Sequence, residues 1–304
     1  MAISAKQVTE LRQKTGAGIM DCKRCLTETD GDVDAAVVLL REKGKATAGK
    51  KSARVAAEGR VEVMASEDAR IGAVVEINSE TDFVARGDDF SNFVKSIASK
   101  VLESKPETVE VFEQERKDLV TKIGENVVVR RFGRFDLASD EHGRVETYLH
   151  MGGKIGVMVQ VNCSSAEAVA KEEFVNFCRE MTMHVAAANP TYLNRDEVSS
   201  DVMEEEKAIY RKQALDDGKP EQFVDKIVEG RLRKYFGEFC LLEQPNVREQ
   251  KKSITDMLKE LSASLGGEVT IKRFLRLQLG EGIEKKKDDL AEEVRKQVEE
   301  AKKG

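Results

Sequence analysis

The sequence predicts an α+β protein with an internally duplicated core, and three observations carry that reading. Gly59-Arg60-Val61-Glu62 recurs as Gly143-Arg144-Val145-Glu146, an offset of 84 residues (143 minus 59). Without a gap, the same offset carries Ile71-Gly72 onto Ile155-Gly156, Val75 onto Val159 and Asn78 onto Asn162. It also carries Phe90, Phe93 and Val101 onto Phe174, Phe177 and Val185. Ahead of the repeat, short segments have apolar residues at helical spacing. Behind it, two charged helix-period segments flank Asp217-Gly218-Lys219-Pro220, a sequence suited to ending one helix and opening the next.

The elements follow in order. Val8 and Leu11 open a first helix, which Thr15-Gly16-Ala17-Gly18 breaks. Met20, Cys22 and Leu26 mark a second, from Ile19 to Thr29. Asp32 is the candidate N-cap of a third, with Val33, Ala36, Val37 and Leu40 as its stripe. The basic stretch from Arg41 to Arg54, with Gly44 and Gly49 inside it, reads as a solvated tether, so residues 1–50 should be removable from a folded core. Each repeat copy reads as two strands and a helix. The strands are Val61-Val63 and Ile71-Ile77, then Val145-Leu149 and Ile155-Val161. The helices carry Phe90, Phe93, Ile97 and Val101, then Phe174, Phe177, Met181 and Val185. Between the copies, Val109 to Leu119 reads as helix and Asn126 to Phe135 as strand. Asp196 to Leu215 and the segment after Pro220 form an antiparallel helical hairpin. Ile254 to Leu265 is an amphipathic helix, Val269 to Leu279 a strand, and Glu281 to Gly304 a charged helix.

These breaks divide the chain into residues 1–54 (three-helix bundle and tether), 55–141 (first core subdomain), 142–195 with 241–279 (second core subdomain), 196–240 (inserted hairpin) and 280–304 (C-terminal helical module). The 304 residues carry 50 Lys and Arg against 56 Asp and Glu, a formal charge of −6. With no Trp and 5% aromatics, that balance argues against direct nucleic-acid binding. No stretch approaches the roughly 18 apolar residues of a spanning helix, and the first residues lack a signal-peptide core. Five scattered cysteines suit a reducing cytoplasm better than a disulfide framework.

Few motifs point to chemistry. Gly44 to Lys51 fits the first seven positions of a phosphate-binding loop, but Lys51 stands where Ser or Thr should hold Mg²⁺, and a helix precedes it instead of a strand. Cys22 and Cys25 have redox or zinc spacing without a second pair, and read as half-buried helix positions. The runs Glu204-Glu205-Glu206 and Lys285-Lys286-Lys287 read as solvated faces. One segment departs from the repeat. Asn78 to Arg86 follows the strand, and its Phe83 aligns with Glu167 of the second copy. Either Phe83 is an exposed interaction tip or it folds onto its own helix as core; the repeat alone leaves both open.

Several of these residues form longer signatures. Val8-Thr9-Glu10-Leu11-Arg12 with Thr15 to Lys23, and Glu76 to Arg86, resemble the two signatures of the bacterial elongation factor Ts family. Ile123-Gly124-Glu125-Asn126, His150 with Lys154 to Val157, Met183 to Ala187, Gly218-Lys219-Pro220, Gln244-Pro245 and Gly280 to Lys285 extend the resemblance, in order, from end to end. It implies a ubiquitin-associated-like N-terminal bundle. It also implies a non-catalytic guanine-nucleotide exchange factor that binds elongation factor Tu, both GDP-bound and nucleotide-free. No cofactor, resident metal, nucleic acid or membrane is expected. By the resemblance, Thr81, Asp82, Phe83 and Val84 insert near the partner's Mg²⁺ site and displace the ion. Leu11, Arg12, Met20, Asp21 and His150 are further partner contacts. One departure is Arg86-Gly87, where Lys or Arg followed by Asn or Asp is expected; the tip itself is intact. A binding adaptor without exchange activity and a nucleotide hydrolase are the competing classes. The defective loop at Lys51 predicts that the isolated protein retains no GDP or GTP in equilibrium dialysis at about micromolar nucleotide.

Overall fold

The computed structural model of the chain describes residues 3–284, apart from the side chains of residues 45–47 and 50. Helices α1 (Ala5–Thr15), α2 (Ile19–Glu28) and α3 (Val33–Lys51) form the N-terminal bundle. Ser4 and Gln7 make a capping box at the start of α1, and Asp32 caps α3 through the amides of Asp34 and Ala35. Leu11, Cys22, Cys25, Leu26, Ala36 and Leu40 close its core. The basic stretch expected to be a solvated tether is the second half of α3. Its Ala48 is buried in the core of the first repeat copy, and the Lys51 ammonium donates to the Gly124 carbonyl. Packing thus overrides two helical glycines, and a core without residues 1–50 would lose part of its own interior.

The first copy comprises strands β1 (Glu58–Ala65) and β2 (Ile71–Ser79), helices α4 (Asp82–Arg86), α5 (Asp88–Ser104) and α6 (Glu113–Ile123), and strand β3 (Val127–Asp136). The second comprises β4 (Gly143–His150), β5 (Ile155–Cys163) and α7 (Glu172–Ala188). The hairpin α8 (Ser200–Asp216) and α9 (Glu221–Phe239) intervenes, then α10 (Ile254–Leu265) and β6 (Val269–Gln278) complete the copy. Each copy makes one antiparallel three-stranded sheet, ordered β1-β2-β3 and β4-β5-β6. β5 and α7 lie at the 84-residue offset from β2 and α5, and the β-bulges at Glu76/Ile77 and Gln160/Val161 share it. The third strands are also siblings, but at an offset of 142 (Val127 to Val269), because the hairpin is spliced into the second copy.

The two sheets face each other, and helices cover their outer sides. Val61, Val74, Phe135, Val145, Met158 and Leu277 fill the space between the sheets. Backbone bonds across this interface come as a sibling pair. Val61 N donates to Gly153 O and Val145 N to Ala69 O, both at 2.8 Å. Within each sheet, a further sibling pair at 2.9 Å extends the ladder: Leu137 N donates to Arg70 O and Leu279 N to Lys154 O. Glycines allow the close approach. A Cβ on Gly72 would lie 2.5 Å from Val145, and one on Gly156 would lie 2.5 Å from Val61. Glu76, fully buried in the first sheet, is held by Arg130 (2.9 Å) and Arg131 (2.6 Å) and accepts the Gly280 amide at 2.8 Å. That bond fastens the turn at which the chain leaves β6. The C-terminal helix expected from Glu281 falls almost wholly on residues 285–304, which lie outside the described residues; Glu281 and Gly282 belong to this turn.

The crowding at Gly156 and the open surroundings of Gly230 in α9 predict opposite signs for one substitution. Gly156→Ala should destabilise by about 1–3 kcal/mol through overpacking. Gly230→Ala, with nothing near its Cβ, should stabilise by up to about 1 kcal/mol through helix propensity. Urea midpoints of the two variants beside the parent check both.

Candidate interaction site

At the end of β2 the chain turns through Glu80 into α4. Thr81 is the N-cap, in extended backbone (φ −122°, ψ 157°), and its hydroxyl oxygen accepts the Val84 amide at 3.3 Å. A five-residue helix cannot persist on propensity alone, so its position must come from anchors. Ala85 is buried, and Val84 packs against the core of the first copy. Asp82 and Arg86 pair across one turn at 2.8 Å. Phe83 lies between these anchored residues and is 84% exposed, so the open choice resolves to a surface tip. At the sibling position the second copy has Glu167 at the start of a short 3-10 turn with no exposed aromatic.

The other expected residues divide by burial. Leu11 is fully buried in the bundle core, which corrects its expected role as a direct contact: it packs the bundle and leaves the surface to its neighbours. Arg12 is exposed, Met20 is 72% exposed beside exposed Ile19, and Asp21 is paired with Arg24 on the surface. The α1–α2 turn abuts α6, where a Cβ on Gly16 would touch Lys122, and Lys122 pairs with Asp89 of α5. A cleft of about 430 Å³ between bundle and core is lined by Asp21, Leu40, Lys51, Val120 and Gly124. Asp21 therefore borders the C-terminal end of α6, the same end that meets Thr81 through Glu125. His150 ends β4, with Nδ1 at 2.8 Å from the Tyr148 hydroxyl. The turn after it reaches the Thr81 end of the first sheet, because Lys154 pairs with Glu58 at 3.4 Å and Glu58 lies opposite Ser79 in the ladder. Thr81 to Val84, Met20-Asp21 and the His150 turn thus surround one end of the core. The residue the sequence reading left without a role is Glu125. Its partner is 44 positions away, and its sibling place in the second copy, Gly267, shows only at the offset of 142 that the fold reveals.

The motifs set aside on sequence behave as surface or packing features. Gly44 to Lys51 lies within α3, so it is no loop around a phosphate. Cys22 and Cys25 are free and buried, and burial raises both thiols above the usual range, opposite to a reactive dithiol. Cys240 is pushed up to about 11 by the same cause. Among the described residues, no cluster of three or more His, Cys, Asp or Glu could hold a metal, and no helix is long and apolar enough to cross a membrane.

The chain matches the family model described as Elongation factor TS over residues 80–281. It is 48% identical to Elongation factor Ts of Clostridium botulinum (strain Alaska E43 / Type E3), over 97% of this chain and 99% of that protein. Elongation factor Ts of Symbiobacterium thermophilum is 45% identical over 97% of this chain and 98% of its own length. That of Clostridium perfringens (strain SM101 / Type A) is 48% identical with the same two coverages.

Two phenylalanines seven positions apart should respond differently to truncation. Phe83→Ala removes an exposed ring and should leave the unfolding free energy within about 0.5 kcal/mol of the parent. Phe90→Ala empties a fully buried site and should lose about 3–5 kcal/mol. Urea denaturation of both variants makes the comparison.

Proposed function

This chain belongs to the elongation factor Ts family, and we propose that it is a guanine-nucleotide exchange factor acting on elongation factor Tu in the cytoplasm. The carrying observation is Phe83, an exposed apolar ring on a short helix anchored on both sides. In this reading Asp82 and Phe83 enter the partner's nucleotide site beside its Mg²⁺. Arg12, Met20, Asp21 and the His150 turn supply the surrounding contacts.

Exchange needs no covalent chemistry. A factor that binds the nucleotide-free partner more tightly than the GDP-bound one weakens GDP by the same coupling free energy with which GDP weakens the factor. The partner's nucleotide is held largely through its phosphates and Mg²⁺, so disturbing the ion removes a large local charge. A carboxylate such as Asp82 competes for that ion or its water shell. Burying the Phe83 ring in the distorted partner holds that state and is worth roughly 1.5–3 kcal/mol, about ten- to more than hundredfold in an equilibrium. The protein loses little by leaving the ring in water beforehand, because single exposed apolar residues are ordinary surface features.

Release of mant-GDP from elongation factor Tu tests the proposal. The parent chain should accelerate release, and Phe83→Ala should lose about tenfold or more of that acceleration. Asp82→Ala should also slow release, with a loss that changes with Mg²⁺ concentration. Partner binding with no acceleration by the parent would replace the reading with a binding adaptor.

A further inference from the structure

We propose that Glu125 is a positioning residue: its carboxylate clamps Thr81 so that Phe83 is held outward in one orientation before the partner arrives. This rests on the exchange role proposed above and adds to it a residue that touches neither nucleotide nor ion.

The clamp is bidentate. The Thr81 amide donates to Glu125 Oε2 at 3.0 Å, and the Thr81 hydroxyl donates to Oε1 at 2.8 Å. With its proton committed to the carboxylate, the hydroxyl turns a lone pair to the Val84 amide, which closes the first turn of α4. Both bonds to Glu125 are charge-assisted, the stronger class of hydrogen bond. Glu125 reaches Thr81 because α6 ends at Gly124 in the left-handed region (φ 84°), which swings the next residue off the helix axis. The same corner grips its surroundings twice more. Asn126 N donates to Glu80 Oε1 at 2.6 Å, and Asn126 Nδ2 donates to Arg54 O at 2.8 Å.

The second copy supplies an internal control. At the offset of 142, Gly266 (φ 71°) stands for Gly124, Gly267 for Glu125 and Glu268 for Asn126. The fold-holding bond is retained there: Glu268 N donates to the Ser164 hydroxyl oxygen at 2.8 Å, as Asn126 N does to Glu80. The carboxylate clamp is not. Gly267 lies against Ser165, the sibling of Thr81, so closely that a Cβ on it would be 2.9 Å from Ser165 Cβ. That copy also has Glu167 in place of Phe83. What the fold needs from this corner is present in both copies. The clamp occurs only where an exposed phenylalanine follows it.

The test uses the full chain, three single variants and one double variant. Glu125→Ala should slow stimulated mant-GDP release about tenfold while the melting temperature stays near that of the parent. It should also speed amide hydrogen exchange at Thr81 and Val84 about tenfold in the protein alone. Glu125→Gln keeps an acceptor for the Thr81 amide and can donate to its hydroxyl oxygen, so it should restore release to within about threefold of the parent. In a Thr81→Val background, Glu125→Ala should slow release by less than it does alone, because the two residues act as one unit. Unchanged amide exchange, or full multiplication of the two effects, would overturn the clamp. So would a Gln variant as slow as the Ala variant, which would instead make Glu125 a direct charge contact with the partner. If the parent chain fails to accelerate release, the exchange reading fails; amide exchange in the isolated protein then decides the clamp by itself.

Discussion

Two sheets pack at this separation only because each presents a glycine where the other presents valines. Gly72 faces Val145, and Gly156 faces Val61. Interiors pack at the density of organic crystals, so one added methyl on either side has no vacant space to enter. The reciprocal backbone bonds from Val61 and Val145 then set the register of one sheet on the other. They also join the edge strands β1 and β4 to the opposite copy, so the edge groups they use are satisfied within the fold. The remaining order follows from this contact. β2 and β5 are buried on both faces, and α5 and α7 cover the outer sides with sibling residues.

A duplicated scaffold of this kind separates stability from interaction. The core positions of the two copies correspond one to one and stay apolar, as Ile97 and Met181 or Val94 and Cys178 do, while the loops that leave β2 and β5 differ in character. One loop carries a clamped helix with an exposed ring, and the other a polar turn beside Gly267. Divergence at the ends of equivalent strands alters nothing in the shared core, which is why surface function concentrates in such connections. The N-terminal bundle extends the same face. Its long helix α3 runs onto α6, so Met20 and Asp21 are placed by helix packing and not by a flexible linker.

Much of this was legible in the chain itself. The offset of 84 marked β1, β2, α5 and their siblings because buried apolar positions tolerate little change. The third strands were recognised as strands but not as siblings, since the inserted hairpin shifts their offset and Arg130, Arg131 and Arg134 interrupt the apolar alternation of β3. The second half of α3 was misread because its basic residues and two glycines match a tether, whereas its helicity depends on packing against α6, a contact between residues some seventy positions apart. Phe83 stayed ambiguous because exposure is decided by neighbours brought in from elsewhere. Leu11 was grouped with its surface neighbours by a contiguous signature, although helical spacing turns it inward. Glu125 stands within a signature, yet its role depends on Thr81, a partner 44 positions away that only the fold brings near.

The α8–α9 hairpin enters and leaves the core through one narrow doorway. Thr191 N and Tyr192 N both donate to Phe239 O, Leu241 N donates back to Tyr192 O, and Tyr192 and Cys240 form a single bridge. Beyond that doorway the hairpin has its own interior, built from Val198, Ala214, Val224, Val228, Leu232 and Phe236. The loop-closure cost to the host grows only slowly with the length of an inserted segment, about 0.6 kcal/mol per doubling. The hairpin is thus built as a cassette: its length can change at little cost to the register of the duplicated core beneath it.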